Sequence, residues 1–293
     1  SVADAVVSMA FGCTGSMISD QGLLITKHHC AYSDVHGLST PEHNYLEEGF
    51  WAMRSDEEVN IKDKQVYFLK RVLDVTDEVK KLQADLEAEG KPAGSRRLSH
   101  LMEQKYSKQT GLDAWLSSMW RGSKYYLALY EVYSDVRLVA APPVSSAAFG
   151  GDIDNWEWPQ HKCDFGLYRV YTAPDGSPAG YSKDNVPMKP TRKLSISRDG
   201  YKAGDYTMVI GYPGSTNRYC SSFETDFKET LRHPVNNAIR GDQMAIIKGW
   251  MDKDPDIRLK YSDYFFSLSN MQECFSGEQE CFERFDVVEQ KEE

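Results

Sequence analysis

Two cysteines seventeen positions apart, Cys13 and Cys30, bracket a stretch whose punctuation admits few folds. The turn signal Ser19-Asp20-Gln21-Gly22 separates Gly12-Cys13-Thr14-Gly15-Ser16 from the apolar run Leu23-Leu24-Ile25. That pattern predicts a β-hairpin. The hairpin delivers Thr26-Lys27-His28-His29-Cys30 to the rim of a barrel, with the histidines read as standing at the end of a strand. The spacing also lets a Cys13–Cys30 disulfide staple the two strands beneath them.

Further along, residues 31–55 are irregular and rich in His, Glu and aromatic residues, predicting loops or short helices. Residues 65–75 read as a strand. Thr76 is a candidate N-cap with Asp77 and Glu78 in the first turn, and Val79, Leu82 and Leu86 repeat at helical spacing. A second helix is predicted from Ser95 to Gly111, a natural glycine terminator. A third is read from Leu112, Trp115, Leu116, Met119, Trp120, Leu127 and Tyr130. Strands are predicted again at 136–141, 165–171 and 206–212, the last ending in Pro213-Gly214. From Phe223 onward Leu231, Val235, Ile239, Met244 and Ile247 recur at helical intervals. The architecture expected is mainly β with helical insertions. A barrel is assigned to 1–75 and 135–222, a helical insert to 76–134, and the start of a helical cap domain to 223–293. A chain ending in mid-helix is expected to be a fragment.

Composition excludes several functions. The 293 residues carry a net charge of −10, with 27% charged and 41% hydrophobic residues. Without a basic cluster, a nucleic-acid partner is not expected. No apolar run approaches the roughly 20 residues that span a bilayer. Six cysteines point to an exported protein, periplasmic, secreted or at a bacterial cell surface. Cys274 and Cys281 stand two helical turns apart, too far to bridge on a continuous helix, with Gly277 between them as a possible break.

Two constellations carry chemistry. The histidine pair offers a general base, since imidazole titrates near neutrality and accepts a proton from a serine or cysteine nucleophile. His36 and His43 lie near in sequence, but no Cys-x-x-Cys or His-Glu-x-x-His spacing supports a metal, and no cofactor is expected. The second stretch runs from Gly150 to Asp164 and contains Asp152, Asp154, Asn155, Trp156, Trp158 and His161. Large rings beside carboxylates suit a pocket with aromatic walls and a few orienting polar groups. Asp164, at the head of the strand 165–171, is placed to hold an imidazole in one tautomer. A third stretch, Gly211 to Tyr219, matches neither a phosphate loop nor a Gly-x-Ser-x-Gly elbow and reads as a structural turn.

A histidine followed at once by a cysteine, with another cysteine one hairpin upstream, is similar to the catalytic-histidine hairpin of the chymotrypsin clan. The ordered set resembles one family more closely. That set comprises Gly12 to Ser16, Gly22 to Cys30, Gly49-Phe50-Trp51-Ala52, Asp74-Val75-Thr76, Gly150 to Phe165 and Gly211 to Gly214. The family is family forty-six of the serine peptidases, the bacterial dipeptidyl-peptidases seven and eleven. The resemblance implies a chymotrypsin-like barrel and an exopeptidase releasing dipeptides from free N-termini. It implies that His29 is the base and Asp164 its orienting carboxylate. Asn155, the main-chain carbonyl of Trp156, and Asn270 would grip the substrate's α-amino group. A homodimer is expected by the same resemblance.

Lys27 and Cys163 depart from the family pattern, which has Asn and Gly there; a side chain at 163 is read as crowding the site or pairing with Cys220. The family's Gly-Asn-Ser-Gly-Ser-Pro-like nucleophile motif is absent from the sequence, and Ser16 and Ser215 lack the surrounding glycines of an oxyanion hole. The chain alone is therefore expected to be inactive, its partner being a C-terminal half that carries the serine. The rival expectation is a non-catalytic peptide-binding module, a degenerate protease domain.

Overall fold

The computed structural model describes residues 1–9, 12–151, 155–214 and 219–293. Asp152, Asp154 and Ser215, named above, lie outside these. Eleven strands are described: β1 (Val6–Ser8), β2 (Thr14–Met17), β3 (Leu23–Thr26), β4 (Phe50–Trp51), β5 (Val59–Asn60), β6 (Val66–Asp74), β7 (Asp113–Met119), β8 (Lys124–Tyr133), β9 (Asp135–Ala141), β10 (Gly166–Thr172) and β11 (Val186–Pro187). The α-helices are α1 (His28–Leu38), α2 (Tyr45–Glu48), α3 (Thr76–Ala88), α4 (Ser95–Thr110), α5 (Val144–Ala147), α6 (Ser222–Phe227), α7 (His233–Met251), α8 (Pro255–Arg284) and α9 (Val287–Glu292). Helix and sheet are mixed, so the mainly-β expectation is corrected. The sheet is large and antiparallel in its recorded pairs.

Two compact units form, one from Ser1–Ile25, Val59–Leu138 and Tyr168–Gly214, the other from Thr26–Glu58, Val139–Leu167 and Ser215–Glu293. In the first, the strands run β9-β10-β3-β2-β1-β6-β8-β7, with β5 beside β9 and β11 beside β10. The β2–β3 hairpin forms as its turn signal predicts. Ser19 Oγ accepts the main-chain N–H groups of Gln21 and Leu23, both at 3.1 Å. Gly22 closes the turn at φ +69°, where a Cβ would stand 2.5 Å from the Val170 carbonyl oxygen, so no other residue fits.

Over one end of that sheet lie α3 and α4. Val79, Leu86, Leu98 and Met102 bury themselves against Ala114, Leu127 and Leu129. Asp74 begins α3 by accepting both the main-chain N–H (3.0 Å) and the hydroxyl (2.5 Å) of Thr76, so the acid before Thr76 does the capping expected of Thr76 itself. Gly111 ends α4 in the left-handed conformation, at φ +71°.

The third helix expected over 112–130 is a β-hairpin instead, β7 with β8, paired from Asp113↔Tyr130 to Met119↔Lys124. Its rings meet across strands: Trp115 packs 4.7 Å from both Tyr67 and Tyr130. The run 206–212 is no strand, and Tyr206 and Val209 are exposed. A charged pair is buried nearby. Arg137 forks onto Asp135 at 2.9 and 2.7 Å, while Asn60 and Asn185 donate to the same carboxylate. The Arg137 guanidinium lies 3.7 Å from the Tyr171 ring centre.

In the second unit, β4 pairs with Ala140 and Ala141 of β9, and the rest is helical. α8 begins at Asp254, whose carboxylate accepts the N–H groups of Asp256 and Ile257, and runs unbroken through Gly277. α1 is tied to it twice. Ser33 Oγ donates to Asp263 Oδ1 at 2.6 Å, and a His36 ring nitrogen donates to the Leu259 carbonyl at 2.6 Å. Tyr32 stacks on Phe266 at 4.5 Å between them. These contacts fix the helix that carries the two histidines against the helix that carries Asn270.

Candidate active site

His28 and His29 occupy the first turn of α1, one residue after β3 closes. The expectation that they stand at the end of a strand is corrected. On a helix successive side chains diverge by about 100°. His28 turns inward and is 3% exposed, its Nε2 buried without a partner; His29 is exposed.

The second unit encloses a cavity of about 510 Å³ lined by Lys27, His28, His29, Tyr32, Asn155, Trp156, Lys162, Asp164, Phe266 and Asn270, among others. One cavity thus holds His29, Asp164, Asn155, Trp156 and Asn270, whereas His161 is not among its lining residues. Cys13 and Cys30 are disulfide-bonded, whereas Cys163, Cys220, Cys274 and Cys281 are free. The alternative pairing of Cys163 with Cys220 is therefore corrected. Trp158 is also removed from the expected aromatic wall, being 94% exposed; Tyr32, Phe266 and Trp156 supply that wall.

Asp164 reaches the histidine through the backbone. Its Oδ1 accepts the main-chain N–H of His29 at 3.3 Å, and its Oδ2 lies 3.5 Å from the Lys27 ammonium. The carboxylate thereby satisfies one of the first-turn N–H groups that a helix cannot bond internally. Burial lowers the pKa of His29, and Lys27 and Lys162 add to the effect, against an opposing pull from Asp164. Although the ring opens into the cavity, the surrounding protein strips part of its hydration, which disfavours the imidazolium. Burial lowers His28 too, opposed by the Pro142 carbonyl and by Asp164. Both imidazoles are thus held neutral near pH 7.

The same cavity holds an amide cluster. The Asn155 amide donates to Asn270 Oδ1 at 3.2 Å, and the Trp156 indole donates to the same oxygen at 2.9 Å. Lys162 donates its ammonium to Asn155 Oδ1 at 2.8 Å. Trp156 is left-handed at φ 66°, rare for so large a residue. Ser262 lines the cavity as well, but its hydroxyl is spent on the Arg258 carbonyl at 2.7 Å, one turn back on α8.

Sequence reasoning missed Lys162, which gave no signal beyond its place two residues before Asp164. It missed Tyr32 and Phe266 as well, whose roles depend on how α1 meets α8. His36, weighed as a metal ligand, instead joins those helices.

A neutral imidazole, a nearby carboxylate and a cluster of amide groups thus line one cavity. The Peptidase S46 family matches this chain over residues 1–293, and the chain belongs to that family. It is 40% identical over 280 residues to an Asp/Glu-specific dipeptidyl-peptidase of Porphyromonas gingivalis, covering 92% of this chain and 38% of that protein. It is also 40% identical over 273 residues to dipeptidyl-peptidase 7 of Capnocytophaga gingivalis, with the same coverages. Among solved structures, Porphyromonas endodontalis DPP11 in complex with the dipeptide Arg-Asp superposes with a TM-score of 0.93 at 36% identity. That match covers 99% of this chain and 43% of the other. The chain spans about two fifths of the length of the relatives it matches.

Proposed function

We propose that this chain carries the proton-accepting and amine-recognising part of a serine dipeptidyl-peptidase site built on a chymotrypsin-like barrel. His29 is the general base, and Asp164 sets its direction. Asn155, the Trp156 carbonyl and Asn270 receive the free α-amino group of a peptide. The observation that carries this reading is the single cavity that collects all five residues.

The chemistry fits the geometry. An ammonium needs several oxygen acceptors at a closed end, and amide oxygens provide them without the strong attraction of a carboxylate. The left-handed backbone at Trp156 supports a carbonyl re-aimed for that purpose, since strained residues of this kind gather at binding sites. The low pKa of His29 suits a base that must be unprotonated near neutral pH.

The attacking serine is proposed to lie outside these 293 residues, because the cavity's Ser262 hydroxyl is committed elsewhere. By itself the chain then lacks turnover. The Cys13–Cys30 disulfide supports an oxidising compartment, periplasmic or extracellular.

Hydrolysis by the intact protein tests the reading. Peptides with a free amino terminus should release dipeptides, N-acetylated versions should not, and His29→Ala should abolish turnover. Binding of such peptides without hydrolysis would favour the peptide-binding module. That alternative draws support from the Asp164 carboxylate engaging Lys27 and the His29 backbone.

A further inference from the structure

Lys162 stands where it has a direct say in what the amide cluster accepts. Its ammonium lies 2.8 Å from Asn155 Oδ1, and that oxygen is the acceptor assigned above to the substrate amine. The other half of the Asn155 amide is fixed by donation to Asn270 Oδ1. Both ends of the amide are therefore satisfied in one orientation, with its oxygen turned to the lysine. Asn270 Oδ1 already receives two donors, Asn155 Nδ2 and Trp156 Nε1.

A primary ammonium on a flexible stem is a close chemical copy of a peptide's α-ammonium. Both present several N–H donors and one positive charge, and both bind one amide oxygen in the same way. Two such cations cannot sit within hydrogen-bond reach of one oxygen without strong repulsion.

Resting on the reading of Asn155 as an amine ligand, we propose that Lys162 is an internal competitor for the amine subsite. It occupies the Asn155 acceptor until an incoming amino terminus displaces it. Lys162 is half-buried, with room on the cavity side for its stem to swing aside. The contact keeps Asn155 oriented and discourages weak cationic ligands, which must first expel the lysine. Affinity for a free amino terminus is reduced by the fraction of time that the subsite stands open.

The test measures binding of alanyl-alanine amide, and of its N-acetylated form, to the intact protein by calorimetry. It compares the wild type with Lys162→Met, Lys162→Gln and Lys162→Arg. If the subsite is open about a tenth of the time, Lys162→Met binds the free-amine probe about tenfold more tightly. Lys162→Arg, still cationic and still a donor, stays near wild type, and the acetylated probe binds no better to any variant. Lys162→Gln gives a second neutral replacement should the methionine variant fail to fold.

Unchanged or weaker binding by both neutral variants would overturn the proposal, because it would make Lys162 a support for Asn155 rather than its competitor. So would a lack of amine-dependent binding in every protein. Tightening without any peptide hydrolysis would sustain the competitor and sink the peptidase reading. Hydrolysis without tightening would do the reverse.

Discussion

Asp164 accepts the main-chain N–H of His29 at 3.3 Å, so the carboxylate proposed to direct the imidazole also holds the peptide from which that imidazole springs. Replacing it removes both supports. Asp164→Asn in the intact protein should lower kcat/KM by about 10⁴-fold, the scale on which loss of the orienting carboxylate acts in serine-protease triads. The same change should lower the His29 pKa further, since Asp164 is the group pulling it upward. Kinetics measure the first effect and an NMR titration of the ring the second. An undiminished rate would remove Asp164 from the mechanism.

The pH dependence follows from the direction of the His29 shift. Its pKa lies below the ordinary 6.5, so the base stays active down to mildly acidic pH. The kcat/KM value should be flat near neutrality and fall as pH drops through an inflection below 6.5. Lys27→Met removes a cation that depresses the ring and should move that inflection upward. An unmoved inflection would mean that Lys27 does not influence His29.

Stability should respond to acid through His28. Burial depresses its pKa, so the folded state resists a proton that the unfolded chain accepts. The contribution is complete above the unfolded value of about 6.5 and is lost as pH falls from there toward the folded pKa. His28→Gln should flatten the dependence without erasing it, because His29 and His233 are shifted the same way. Denaturant titrations at several pH values provide the measurement, and an unaltered slope would acquit His28.

Much of this was readable beforehand, and the failures share a cause. The hairpin, its disulfide, α3, α4 and the helical 223–293 region are local, set by turn residues and short-range periodicity. The residues 112–130 misled because Trp115, Leu116, Met119 and Leu127 fall at intervals that fit either element. Pairing of β8 with β6 decided for sheet, and that partner lies some sixty positions away. Residues 206–212 failed in the opposite sense, an apolar run without strand pairing among the described residues. His29 and Asp164 were nameable by motif, yet their link through a backbone N–H depends on α1 starting at His28, which the sequence does not announce. The amide cluster needed Asn270 delivered from α8, more than a hundred positions from Asn155.

The buried pair of the first unit supplies a prediction apart from the site. Burial pushes the Asp135 carboxyl upward, but the bonds from Arg137, Asn185 and Asn60 outweigh it and hold the pKa below the usual range. Arg137→Met strands that carboxylate and should cost about 3–5 kcal/mol in a urea melt. Adding Asp135→Asn should restore part of the loss, and additive losses would show that the two are not coupled.

Leu127 is fully buried where α3 and α4 meet the sheet. Leu127→Ala should cost roughly 2–5 kcal/mol, read from the same melts, and a loss below about 1 kcal/mol would mean that this layer repacks freely.

Because the acid at 164 finishes the first turn of α1, heritable change at that position meets two filters at once. A lineage that abandoned hydrolysis would still be pressed to keep an acceptor there for the sake of the helix entrance. Presence of the aspartate in a sequence is therefore weak testimony that its bearer is still an enzyme, and assays must speak for each descendant.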